Sequence, residues 1–424
     1  MTLPTSHPLA IFQNLNVECS APASSPSALI VNAHVHLPPN FSAFSTVGQA
    51  VDLAAEQGLN MLGVSNYYDY TVYRDFTRLA LQKGIFPIYG IETIGLIEEF
   101  VNSGVRLNDP GNPGKTYLCS KGAILLDPLP QSTQAIVDQI KLRDTLRMNA
   151  MAKEMQRIFT EAGVDNKLDG ETIRRSVATR SHVEIETVTL QERHLAQAFQ
   201  EALFLAPDLD ERMNVLTKLF GTPATANCND AAGVQNEIRS RLMKAGKRAF
   251  VPDTFIDFSE AYALTLAVGG IPAYPILADG ASPICEYEQD IDALAEDLIR
   301  RSIYAVELIP IRNTPEILAS YVHKLRAKGL IVTAGTEHNT LDLLPIQPTC
   351  VNNIAIPSEL QAVFTEGALV VAAHQYLIAN NKGGYVSADG QLTGSFRTVD
   401  ERISHFATLG RDVLKAFQKA APSS

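Results

Sequence analysis

Apolar runs alternating with amphipathic helical patterns are what most restrict the fold open to this chain. Residues 28–36 form an apolar run, residues 46–57 carry helical apolar spacing that stops at Gly58, and residues 59–65 are a short apolar strand. A second helical pattern starts near residue 71 and ends at Lys83 and Gly84, and residues 85–92 then read as a third strand. Strand and helix in alternation predict a parallel sheet, closed as a barrel or doubly wound, with ligands gathering at the C-terminal ends of the strands. Residues 102–115, rich in Gly, Asn and Pro, read as a loop leading into a strand over 116–122. From 255 onward the alternation resumes, with strands at 271–274, 304–309 and 330–334, helices between them, and two closing helices at 358–380 and 399–419.

Between these parts the pattern changes. Residues 131–250 are helical, charged and poor in strand candidates, which predicts an inserted helical subdomain over the barrel mouth. The domain reading is therefore a lead-in at 1–27, a barrel at 28–130 and 251–424, and a helical insertion or cap at 131–250. Residues 20–27, of Ser, Ala and Pro, predict a flexible or surface-hugging stretch. A chain of 424 residues is long enough for one barrel of this kind. The formal charge of -11 argues against a nucleic-acid-binding surface, which needs a basic face. The first 27 residues show no charged segment followed by an apolar one, and the longest apolar stretch, 261–278, is broken by Gly269, Gly270, Pro272 and Pro275. No membrane association and a cytoplasmic location are expected. Five scattered cysteines without CxxC spacing predict neither a disulfide framework nor a thiolate metal cage.

Chemistry concentrates at strand ends. His34 and His36, two apart in a strand, project from the same face where the first strand stops. Glu92 closes the third strand, and imidazole with carboxylate suits Zn, Mn or Fe(II). Glu337 and His338 sit just past the strand at 330–334, after Gly335, where the backbone can turn sharply. In a closed barrel the last strand neighbours the first, so these groups can share a pocket, and a metal would satisfy them.

With these motifs in order, the chain resembles the polymerase and histidinol phosphatase (PHP) superfamily, metal-dependent phosphoesterases on a distorted seven-stranded α/β barrel. His34 and His36 match its His-x-His motif, Glu92 its Gly-x-Glu motif, and residues 335–338 resemble its late Gly-Ser-Asp-x-His motif, shortened by one residue. His194, followed by an apolar helix start, is similar to a ligating His of the family's amino-acid and nucleotide phosphatases; His182 competes for that role. The resemblance spans roughly residues 28–345. It implies hydrolysis of a small phosphate ester, with one or two divalent metals per chain held among His34, His36, Glu92, His194, Glu337 and His338. Arg193, Arg312 and Lys121 would hold the phosphate, and Glu307 would act as a general base or from behind the ligands. Departures stand beside the matches: Asn66, Tyr67, Tyr117 and Tyr274 occupy positions where the family has ligands. Asp69 could compensate as a ligand or could cap the helix that follows. The rival readings are an amidohydrolase-like metal hydrolase, whose barrel also opens with His-x-His, and a barrel that binds a ligand without hydrolysing it. Oligomeric state is not legible.

Overall fold

The computed structural model describes residues 7–20 and 29–422, so the stretch at 20–27 lies outside the described residues except for Ser20. Eight strands build one sheet: β1 (Val31–Val35), β2 (Met61–Asn66), β3 (Phe86–Leu96), β4 (Lys115–Lys121), β5 (Ile256–Asp257), β6 (Ile271–Ile276), β7 (Ala305–Leu308) and β8 (Ile331–Ala334). Their order is β1-β2-β3-β4-β6-β7-β8, with the two-residue β5 added to the far end of β3. The ends of the sheet meet where Val35 bridges Glu337, and His36 N donates to the Glu337 carbonyl at 2.9 Å. This is a nearly closed, distorted α/β barrel of seven main strands, the fold class that the alternation predicts. Buried side chains fill the strands on both faces, as expected when helices cover a parallel sheet.

One strand breaks the parallel rule. β4 runs antiparallel to both β3 and β6, pairing Ile94 with Tyr117 and Gly90 with Lys121. The chain leaves the overlong β3 through a single short helix, Glu98–Ser103, and a Gly- and Pro-rich loop. That connection turns the chain back on itself, whereas a parallel neighbour needs a crossover of a dozen residues or more. The start of β4 therefore lies at the barrel mouth and its end, Lys121, at the opposite end.

The helices follow from local signals. Thr46 caps Val47–Glu56 by accepting from Gln49 N, and Gly58 takes up the left-handed turn that ends it. Helix Ser358–Ala379 is long and apolar enough to cross a bilayer, yet it packs against β8 and Val399–Ala420 inside the molecule. Phe12, in the short helix Ile11–Asn14, is fully buried against Phe86 and Phe417, with ring centroids 5.5 and 6.1 Å away. Such burial contributes about 1.5–3 kcal/mol and ties residues 7–20 to the barrel.

Residues 131–250 form the helices Gln131–Ala162, Gly170–Ser181, Glu192–Leu203, Leu209–Phe220 and Ala231–Ile238, with a π-helical turn at Arg239–Met243. Asp169, Asp208 and Asp230 each cap a helix start by accepting a backbone N–H. These helices enclose their own apolar cluster, separate from the barrel core and built on residues such as Met155, Phe159, Phe199 and Leu216.

Candidate metal centre

β1 delivers His34 to the barrel interior, and His36 follows just past its end. Both imidazoles are 1% exposed, so neither is solvated. Glu92, on β3 two strands away, completes a triangle. His34 Nε2 lies 3.4 Å from His36 Nε2 and 3.7 Å from Glu92 Oε2, and His36 Nε2 lies 3.1 Å from the same oxygen. A tetrahedral ion with bonds of about 2.0–2.1 Å spaces its ligand atoms about 3.3–3.4 Å apart, so these three atoms converge as ligands of one ion would. The chemistry of the set agrees: Glu92 Oε2 is buried and has no hydrogen-bond partner among the described residues. A buried carboxylate oxygen left so is costly unless a cation meets it. Two imidazoles and one carboxylate with an open fourth position is also the ligand composition of known catalytic zinc sites.

The neighbourhood fixes the rings. His34 Nδ1 sits 2.6 Å from Glu307 Oε2, on the side of the ring away from the triangle. His36 lies face to face with Tyr67, ring centroids 5.4 Å apart and planes 5° from parallel. Gly335 serves β1 by its lack of a side chain: a Cβ there would stand 2.4 Å from His34 Cβ. The sharp turn expected at Gly335 falls instead on Glu337 and His338, whose φ values of 60° and 51° are left-handed. Backbone held there costs of order 1–3 kcal/mol per residue and is often found at functional sites.

The structure separates the six proposed ligands. Glu337 lines the same cavity as His36 and Glu92 but pairs with Arg312 at 3.2 Å and accepts from Asn339. Burial works against its charge, and the Arg312 guanidinium with the two imidazoles holds its carboxyl below the ordinary range. His338 turns aside, because Nδ1 meets the Thr336 hydroxyl at 2.7 Å and Nε2 donates to the Leu344 carbonyl at 2.9 Å, with Phe44 stacked on the ring. His194 is likewise spent. Its Nδ1 accepts from Gln191 N at 3.0 Å in a capping box, and the ring also bonds the Pro39 carbonyl. Burial, assisted by Arg180, lowers its imidazole to about 3. Neither ring has a nitrogen left for a metal as placed, which corrects the expectation for both. His182, the competitor, is the left-handed cap of helix Gly170–Ser181.

Among the proposed cations, Lys121 also needs correcting. Its ammonium is fully buried at the closed end, because β4 runs antiparallel, and it pairs with Glu307 at 2.6 Å. Arg193 and Arg312 do line the cavity, of about 410 Å³, that opens above the triangle. Arg193 has no ion pair or hydrogen bond among the described residues. Burial and the nearby Arg239 and Arg312 push its guanidinium down to about 10, with Glu337 opposing. Arg239, at the start of the π-helical turn, is a cavity cation that sequence reasoning missed; its Nε is buried without a partner, and its other end reaches Glu192 at 3.8 Å. Only the fold brings it beside Arg193, although π turns are frequent at functional sites. The remaining cations are matched: Arg147 pairs with Glu192 and Asp253 at 2.8 and 2.6 Å, Lys244 with Glu192 at 2.6 Å, and Lys115 with Asp109 at 3.0 Å.

The residues standing at family ligand positions are occupied in other ways. Asn66 bonds the backbone of Leu37 at both its oxygen and its amide, and the Tyr274 hydroxyl donates to Glu288. Tyr67 and Tyr117 line the cavity, but burial pushes both phenols up from their ordinary value, so neither offers a phenolate. Asp69 accepts from Thr71 N and its hydroxyl and pairs with Lys141, a local turn rather than a ligand.

No family model and no curated protein matches this chain. Among solved structures, one from Bifidobacterium adolescentis, described as a candidate metal-dependent phosphoesterase, aligns with a TM-score of 0.53 at 13% identity, covering 80% of this chain and 96% of that one. An amidohydrolase from Chromobacterium violaceum, solved with bound sulfate and no metal, aligns with a TM-score of 0.49 at 15% identity over 79% of this chain and 96% of its own. At such identity the first of these likenesses shows a shared fold.

Proposed function

We propose that this protein is a divalent-metal-dependent hydrolase of a small phosphomonoester, and that it is a divergent relative of the PHP superfamily. The observation that carries the reading is the pairing of two features: a converging His34, His36 and Glu92 triangle, and, in the cavity that His36 and Glu92 line, the unpaired guanidinium of Arg193 beside Arg239, whose Nε has no partner and which reaches Glu192 at 3.8 Å. His34, His36 and Glu92 would hold one Zn, Mn or Fe ion, the lower end of the expected one to two. When bound, the ion supplies Lewis acidity toward a phosphoryl oxygen and lowers the pKa of water.

The chain's own residues do the rest. Arg193 and Arg239, joined by Arg312 when it exchanges Glu337 for substrate, neutralise the equatorial oxygens of a phosphate, as Arg clamps do on transferring phosphoryl groups. Glu337, held ionised, is placed to accept a proton at its carboxylate from an attacking water. The helical insertion serves as a cap: Asp144, Arg147, Gln191 and Arg193 wall the cavity, restrict it to small substrates and limit water. The free guanidinium of Arg193, with Arg239 and Arg312 held only by the longer contacts to Glu192 and Glu337, favours an anionic substrate over the neutral amide or lactone of an amidohydrolase.

The test is a panel of phosphomonoesters, amides and lactones assayed with Zn, Mn or Fe supplied. Phosphomonoester hydrolysis that is abolished in Glu92→Gln is the expected result. Turnover of lactones or amides without phosphatase activity would replace this reading with the amidohydrolase one.

A further inference from the structure

Behind the triangle, on the side away from the cavity, lies a second charged group that the reaction does not use. Lys121 and Glu307 are both fully buried. The three ammonium protons of Lys121 have three acceptors: Glu307 Oε1 at 2.6 Å, Glu307 Oε2 at 2.8 Å and the Ala33 carbonyl at 3.0 Å. Glu307 Oε2 also meets His34 Nδ1 at 2.6 Å, and its Oε1 lies 3.5 Å from the Thr333 hydroxyl.

We propose that Glu307 is a positioning residue for His34, and that Lys121 acts through it, so that the pair sets which nitrogen of His34 is bare. An imidazole can carry its proton on either nitrogen, and only the form with Nδ1–H presents the Nε2 lone pair to the triangle. A carboxylate already holding two charge-assisted bonds from Lys121 accepts at its remaining positions and donates nothing, so the hydrogen in the 2.6 Å contact belongs to Nδ1. Lys121 and Glu307 together are neutral, so the site gains this orientation without gaining net charge. A well-packed apolar pair would fill the same space at no smaller stability, which leaves the direction of the His34 proton as what the ion pair distinctively provides. Antiparallel β4 is what makes the arrangement possible, since it turns the Lys121 end of the strand toward the closed end of the barrel.

The inference rests on His34, His36 and Glu92 being metal ligands, but not on the substrate. Long-range proton–nitrogen spectra of the metal-stripped protein, with His34 assigned by its loss in His34→Gln, should show Nδ1 protonated and Nε2 bare. Lys121→Met/Glu307→Leu, which removes both charges together, should mix the tautomers and weaken zinc binding about 10–100-fold in chelator competition. Its metal-free melting temperature should stay within a few degrees of wild type. A proton on Nε2 in the wild-type spectrum overturns the proposal even if the double variant fails to fold. Unchanged tautomer and zinc affinity in a folded double variant overturn it too. Absence of phosphatase activity would sink the substrate reading and leave these two measurements standing.

Discussion

The end of β1 and the segments packed over it each hold a pair of histidines, and the pairs differ in one respect. His34 and His36 are 1% exposed and His194 and His338 are 4% exposed, so burial does not tell them apart. His194 and His338 have both ring nitrogens committed to backbone or hydroxyl partners. His34 and His36 keep their Nε2 atoms turned toward each other and toward Glu92. A histidine that fits a motif becomes a ligand only where the fold leaves a lone pair unspent.

The largest effect should come from exchanging one of each kind. His36→Ala removes one of the three proposed ligands and should cut metal affinity by more than about 100-fold, beyond the 10–100-fold of outer-shell losses. His194→Gln should hold metal within about twofold of wild type, because Gln at that helix position can still accept from Gln191 N. Equal losses in the two variants, measured by chelator competition, would break the comparison. Next in size is Arg193→Met, which should lower kcat/KM by about 10–100-fold through a lost charge-assisted bond while leaving bound metal unchanged.

A third test sharpens the account of His194 by acid titration. The unfolded ring takes up a proton near 6.5, but the buried ring refuses it down to about 3. Stability that is present above pH 6.5 should therefore drain away as pH falls toward 3, by about 2 kcal/mol at pH 5 from this group alone. His374, lowered to about 4 by burial, acts in the same direction in both proteins, so the difference between wild type and His194→Gln isolates His194. Parallel acid-unfolding curves for the two would contradict the placement. The smallest expected effect is that of Asp69→Asn: a loss of at most about 1 kcal/mol in thermal stability from its turn, and no change in metal content.

Much of this was legible before the fold was known. Alternating strands and helices predict the barrel, and the His34–His36 spacing places two imidazoles at a strand end because strand side chains repeat every two residues. Other parts were hidden for physical reasons. Strand direction is not written in a run such as 116–122, so Lys121 could not be sent to the closed end until β4 was seen to pair antiparallel. The capping role of His194 depends on Gln191 three residues earlier, a position where Ser or Thr is the more familiar signal. His338 is turned from the site by the Leu344 carbonyl, an acceptor every residue carries and no sequence marks. Arg239 joins the cavity through packing of the insertion, which has no local signature.

The central claim is that one metal sits among His34, His36 and Glu92. Anomalous diffraction from metal-loaded crystals, with elemental analysis of the same preparation, tests it most directly. The account predicts one metal per chain and a single strong peak about 2 Å from His34 Nε2, His36 Nε2 and Glu92 Oε2. A strong peak against His194 or His338, or none within the triangle, would contradict it.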